Sequence, residues 1–285
     1  MSELLLLNPE WQGYGESTAV YHDAVSLAEA LFGPHDLCRI AVPRRETLET
    51  TDGVLGLASI ALRCRQALDE IRTQAPSSIV MVGGTCGVEV APVTYLNDRY
   101  AGDLGVVWFD AHGDLNTPDS SPSGHFHGMA LRTLLGDGPD ALVDLLAKPL
   151  EPRQVFLAGT RDLDPPEQAF VADATLSLTS PEELATPEAL VTKLTEAGVS
   201  NLYLHVDLDV LDPETFAHSL MQTPGGLPPS ALADTIRACF ERFAVVGFSV
   251  VEFRRRSDHA VEAVREFLTQ CGVRLGPEDG VRLPA

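Results

Sequence analysis

The chain has 285 residues, 45 % of them hydrophobic and 21 % charged, enough for a sizeable core in one large α/β domain or two small ones. Its 41 acidic and 20 basic side chains give a formal charge of −21, which repels nucleic acid and anionic lipid and suits cationic small molecules or divalent metals as partners. No run approaches the ~18 apolar residues of a membrane span, and the five widely spaced cysteines include no CxxC pair, so they read as reduced thiols of a cytoplasmic protein.

Taken in chain order, the opening segment carries four leucines, Leu4–Leu7, with no basic flank. It reads as a strand and not as a secretory signal. An amphipathic helix is predicted over Gly53–Arg72, followed by a strand at Ser78–Val82 and a Gly83-Gly84 turn. Further strands are predicted at Leu104–Phe109 and Gln154–Ala158. Ser180, Pro181 and Glu183 then form a helix start with a capping-box acid, for a helix over Glu182–Ala197 that Gly198 stops. A strand at Leu202–Val206, a helix at Ser230–Phe243 and a strand at Val245–Val251 follow. The last helix is capped by Ser257 or Asp258, carries Val261, Val264, Phe267 and Leu268 on one face, and ends at Gly272. Buried strands alternating with helices predict an α/β fold, a three-layer α/β/α arrangement with a central parallel sheet, in one domain spanning residues 1–285. In such sheets the active site lies beyond the carboxyl ends of the strands.

Two of those ends carry metal-competent groups. Asp110, His112 and Asp114 follow the strand at Leu104–Phe109 at a spacing of two, so an extended segment would point all three the same way. Asp207 and Asp209 follow Leu202–Val206 at the same spacing. A single Asp-x-Asp pair is commonly a cap or a solvated turn. Two clusters, each after a buried strand, are a different matter. Four converging carboxylates raise one another's pKa values unless cations sit among them. Oxygen-rich ligation with one imidazole favours manganese or magnesium over zinc.

The blocks FDAHGDLN (from Phe109), HVDLDVLDP (from His205) and SGHFHG (from Ser123), with the Gly83-Gly84 turn, resemble the signature blocks of the ureohydrolases, the arginase and agmatinase family. They appear in the family's order between about residues 83 and 252. The resemblance implies a dinuclear manganese centre, two Mn2+ per chain, and hydrolysis of a guanidino carbon–nitrogen bond by a hydroxide bridging the ions. By that resemblance Asp110 and Asp207 bridge, Asp114 joins one ion and steadies the hydroxide, and His112 and Asp209 complete the other. The remaining ligand is a histidine in the family, and here the turn reads Gly83-Gly84-Thr85-Cys86-Gly87. Cys86 is therefore either a lost ligand or a thiolate ligand. The thiolate is the reading adopted, because a divalent ion readily deprotonates a thiol and every other ligand is in place.

The resemblance extends to the substrate. Asp164 and Glu167, in the segment Arg161–Glu167, match residues that bind an α-amino group. Asn116 and Ser123 match residues that hold the α-carboxylate. A turn and helix start would explain Pro165 and Pro166 equally well. Glu252 matches the glutamate that pairs with the guanidinium, and His127 the histidine that passes a proton to the leaving amine. Departures gather at the reacting end, where His125 replaces an asparagine and Met221 a threonine, besides Cys86. An arginase that keeps its amino-acid handle and changes its chemistry end resembles the family's Nω-hydroxy-L-arginine hydrolases, which produce hydroxyurea and L-ornithine. The rivals are an ordinary arginase, an agmatinase, and a non-catalytic protein that binds metal or arginine. A single-zinc deacetylase of the same fold would leave Asp114 and Asp209 without a purpose. The expected partner is a small guanidino or hydroxyguanidino L-amino acid, with no nucleic acid and no membrane, and with homo-oligomer formation left open.

Overall fold

In the computed structural model, residues 2–15, 17–33, 37–276 and 280–284 are described. Eight runs pair into one sheet: β1 (Glu3–Asn8), β2 (Leu37–Arg39), β3 (Ser78–Gly83), β4 (Leu104–Phe109), β5 (Val155–Ala158), β6 (Ser177–Thr179), β7 (Asn201–Asp207) and β8 (Ala244–Val251). Their order is β2-β1-β3-β8-β7-β4-β5-β6, with every pairing parallel. The apolar runs alternate between two cores. Leu104, Val106 and Trp108 of β4 enter one, while Val107 and Phe109 enter the other. Helices Leu57–Gln74 and Val90–Arg99 cover the first face. Helices Ala19–Phe32, Glu188–Ala197, Pro229–Arg242 and Ala260–Gln270 cover the second. Strands buried on both faces need no polar alternation, which is why they read as continuous hydrophobic runs.

All six strands expected from sequence form, most of them longer by a residue or two. At the start of β5 the ladder begins at Val155, because Gln154 belongs to a short turn and its amide bonds the Leu104 carbonyl at 2.8 Å. The two outer strands, β2 and β6, have three residues each and carry no run long enough to read in advance. The helix expected from Gly53 starts instead at Leu57. Val54–Leu55 pairs with Thr50–Thr51 as a hairpin, and Gly56 turns the chain at φ 74°.

The helix expected over Glu182–Ala197 is broken. Ser180 and Glu183 exchange their reciprocal bonds, at 2.8 and 3.3 Å, but around a single turn at Glu183–Ala185. Thr186 is extended because it precedes Pro187, and the helix restarts at Glu188. Gly198 ends it in the left-handed conformation, as its position predicts. The last helix begins at Ala260 after His259, and no side-chain cap forms there.

Two glycines permit close approaches that position the site. A Cβ on Gly84 would lie 1.9 Å from the Glu10 carbonyl oxygen, so the turn after β3 lies directly against the segment after β1. A Cβ on Gly247 would lie 2.1 Å from the Tyr203 ring, at the point where the β7–β8 register shifts.

Candidate functional site

The carboxyl ends of five neighbouring strands, β3, β8, β7, β4 and β5, supply Cys86, Glu252, Asp207 with Asp209, Asp110 through Asp114, and Asp164 respectively. The segment after β4 is not extended. Asp110 Oδ1 accepts the His112 backbone N–H at 2.7 Å, which folds the chain back on itself, and Asp114 lies at φ 51°. Asp207 Oδ1 likewise accepts the Asp209 N–H at 2.8 Å as the chain leaves β7. The expectation that these ligands line up on one face is corrected accordingly. Each leading aspartate makes a local turn with its own backbone, so the side chains converge from several directions. Glu252, at φ 57°, is a second non-glycine residue held in the left-handed region beside the cluster, a conformation retained only where surrounding contacts over-determine it.

Among the described residues, potential ligand atoms lie within 4.8 Å of one another in three groups. Asp110, His112 and Asp209 form one, with His112 Nδ1 3.0 Å from Asp209 and 3.4 Å from Asp110. Cys86, Asp207 and Glu252 form the second, the Cys86 sulfur standing 3.1 Å from Asp207 Oδ2 and 3.7 Å from Glu252 Oε1. The third contains Cys86, Asp110, Asp114 and His205. Asp110 belongs to two groups, and its oxygens face them separately. Oδ1 faces His112, whereas Oδ2 accepts the Trp108 indole N–H at 3.1 Å and lies 4.0 Å from the Cys86 sulfur.

The electrostatics are those of crowded, buried carboxylates. Burial and neighbouring carboxylates hold Asp114 and Asp207 well above the usual carboxylate range and push Asp209 up to about 6. Asp110 goes the other way. Burial opposes its charge, but the His112 and His205 imidazoles beside it outweigh that and lower its pKa. Burial and four surrounding carboxylates push the Cys86 thiol well above its ordinary value, so a thiolate there requires a cation beside it. Asp114 Oδ2 is buried with no hydrogen-bond partner. Among the described residues, no lysine or arginine lines the cleft. Convergent carboxylates, an imidazole and an unpartnered buried oxygen fit divalent cations, and two of them because the groups fall on two sides of Asp110.

Above this floor is a cleft of about 180 Å³, whose wall includes Asn116, Ser123, His127, Asp164, Glu167 and Met221. Asn116 donates to Asp164 Oδ2 at 2.9 Å, and Ser123 lies at the rim. Glu167 is at once a cleft residue and a helix-capping one. It faces the cleft while its carboxylate accepts the Leu115 and Asp164 N–H groups, each at 2.8 Å, as the acid of a capping box. At the floor, His127 Nδ1 is 2.9 Å from Glu252 Oε1, and that contact raises the imidazole pKa against the opposing effect of burial. Every sequence-predicted site residue therefore falls on one cleft or its floor. His125 is the exception among the flagged departures, since its ring lies 6.0 Å from that of Tyr14 and it does not line the cavity.

Sequence reasoning missed several contributors. Arg161 donates to the backbone carbonyls of Asp209 and Thr223, at 2.8 and 2.6 Å, tying the Met221–Pro224 loop to the floor. His205, Glu89 and Tyr203 form a buried group beneath the cluster. For His205 a signal was present: it precedes Asp207 by two residues in a strand, the same spacing that singled out the aspartates.

Known proteins resemble this chain in both sequence and fold. The model of the arginase family matches residues 31–270. The chain is 30 % identical over 203 residues to an arginase of Staphylococcus aureus (strain MRSA252), covering 69 % of this chain and 67 % of that one. It is 30 % identical over 214 residues to the Bacillus caldovelox arginase, covering 70 % of each. The crystal structure of Entamoeba histolytica arginase in complex with L-ornithine superposes with a TM-score of 0.86, at 19 % identity, covering 95 % of this chain and 99 % of that one. The chain belongs to the arginase family, hydrolases of amidine and guanidino carbon–nitrogen bonds.

Proposed function

We propose that this protein hydrolyses Nω-hydroxy-L-arginine to hydroxyurea and L-ornithine with two manganese ions, as the enzyme of D-cycloserine biosynthesis that it resembles does. The observation that carries the reading is the buried Cys86 sulfur 3.1 Å from Asp207, at the place where the family has an imidazole. An N-hydroxyl on the guanidine is itself a metal ligand, and in an ordinary arginase it would compete with the nucleophilic water. A thiolate brings negative charge where imidazole is neutral, which weakens the Lewis acidity on that side and with it the hold on the hydroxyl oxygen.

On this reading Cys86, Asp110, Asp114 and Asp207 would hold one ion, and Asp110, His112, Asp207 and Asp209 the other. Bound there, the ions would supply a water activated for attack on a guanidino carbon. Glu252 orients the guanidine from below, and its bond to His127 keeps the imidazole charged beside the scissile bond. His127 gives its proton to the departing side-chain nitrogen of ornithine. Asp114 accepts a hydrogen bond from the nucleophile and aims it. At the other end of the cleft Asp164 and Glu167 face the α-ammonium, while Asn116 and Ser123 face the α-carboxylate. Agmatine has no carboxylate for that second pair, which disfavours it.

An ordinary arginase is the second reading, favoured by the intact amino-acid end of the cleft. The deciding experiment is a paired assay on manganese-loaded protein, with L-arginine and Nω-hydroxy-L-arginine as substrates and ornithine as the readout. Faster turnover of the hydroxylated substrate is the expected result. Faster turnover of arginine assigns the second reading, and no turnover of either indicates a metal- or arginine-binding protein.

A further inference from the structure

We propose that His205 is a ligand of the ion on the Cys86 side, through Nε2, and that Glu89 and Trp108 hold it in place for that purpose. This rests on the two-ion reading above and adds to its ligand set. His205 lies on β7 one alternation before Asp207, so both side chains project from the same face of the sheet. The imidazole is fully buried, and its two nitrogens have different surroundings. Nδ1 is 2.9 Å from Glu89 Oε1, and Glu89, also fully buried, accepts a second bond from the Tyr203 hydroxyl. A carboxylate on Nδ1 holds a proton there, so Nε2 is the nitrogen that can give its lone pair to a cation in exchange for any proton it carries. Nε2 has no hydrogen-bond partner; Asp110 Oδ2 is 3.7 Å from it.

That nitrogen and the ligand atoms of Cys86, Asp110 and Asp114 lie within 4.8 Å of one another. Ligands about 2.0–2.3 Å from a common ion stand up to ~4.5 Å apart, so one ion reaches all four with small adjustments. The ring plane is fixed as well. Trp108, the register partner of His205 on β4, stacks on it with centroids 3.6 Å apart and planes inclined by 19°. A histidine that gives one nitrogen to a metal commonly donates the other to a carboxylate, which fixes its tautomer. Glu89 closes the short turn that Cys86 opens, so one turn supplies both the thiol and the carboxylate that orients the imidazole. The imidazole missing at position 86 is thus supplied from the strand beneath.

The test uses full-length protein and reads metal, not turnover. Ions per chain are counted by mass spectrometry after dialysis, and manganese affinity is measured by competition with a chelator. The samples are wild type, His205→Asn and Glu89→Gln, with circular dichroism as the folding control. Wild type should hold two ions. His205→Asn should lose one of them or bind it at least tenfold more weakly, and Glu89→Gln should weaken the same ion by about 10–100-fold while the other is unchanged. Two ions at wild-type affinity in both variants overturn the assignment to His205 alone. A single ion per wild-type chain overturns the two-ion reading and this inference together. If the variants do not fold, X-ray absorption at the manganese edge of the loaded wild type decides. Two imidazole nitrogens per ion pair support the proposal, and one, from His112, overturns it.

Discussion

Cys86 decides more about this site than its size implies, because the sulfur sits among carboxylates that oppose its ionisation. Cys86→His should raise the ratio of kcat/KM for arginine over hydroxyarginine at least about tenfold, ~1.4 kcal/mol of transition-state preference. Steady-state kinetics on both substrates check this, and an unchanged ratio would remove the thiolate from the account of specificity. Asp164→Asn keeps an oxygen for the helix cap but removes the charge facing the substrate ammonium. It should raise KM by roughly tenfold or more, with a smaller change in kcat, because the contact exists in ground and transition states alike. An equal fall in kcat and kcat/KM would instead place Asp164 in the chemistry. Asp110, His112, Asp114, Asp207 and Asp209 were legible from spacing and strand ends, and Cys86 and Asp164 only through the family resemblance. Their convergence was not, because it depends on Asp110 and Asp207 each bonding a backbone N–H two residues on.

At the scale of elements, β7 and β8 are two of the five strands that supply the site, and their shared register depends on the absence of a side chain at Gly247. A Cβ there would overlap the Tyr203 ring, which is fully buried and anchored through its hydroxyl to Glu89. Gly247→Ala should cost about 3 kcal/mol of unfolding free energy, by forcing an off-rotamer ring or a backbone shift. Urea denaturation of the two proteins measures this, and a loss below ~0.5 kcal/mol would show that the sheet has slack at this point. The buried strands were readable because their apolar runs are continuous. The three-residue outer strands were not, since so short a run carries no period. The break at Thr186 was missed although Pro187 signals it, because the Ser180–Glu183 pair reads equally as the start of a long helix.

Across the whole molecule, the net charge of −21 and the buried acids of the floor act in the same direction. Asp209 titrates near 6, Asp114, Asp207 and Glu10 above the usual carboxylate range, and His205 near 9. Burial raises the acids. For the histidine burial opposes the charge, and Asp110 and Glu89 outweigh it. All these groups bind protons more tightly folded than unfolded. Stability in the presence of a chelator therefore falls as pH rises, from about 4 to about 6 for Asp209 and on through about 9 for His205. Melting temperatures in a chelating buffer should drop between pH 6 and pH 9, and manganese should restore most of the loss at the upper end. A melting temperature that rises over that range would contradict the placement of these groups.

By itself the sequence determined the layered parallel sheet, its exposed carboxyl edge and the aspartates and histidine that stand there, because hydrophobic period and residue spacing are local properties of the chain; the family was legible through the resemblance of its motif blocks. The tertiary structure decided which groups meet. The order β3-β8-β7-β4-β5 brings Cys86, Glu252, Asp207 and Asp110 together from positions up to 166 residues apart. It also sets His205 under the floor, between Glu89 and Asp110. Strand order is a long-range property, set by how two cores are filled at once, and no local pattern in the chain encodes it.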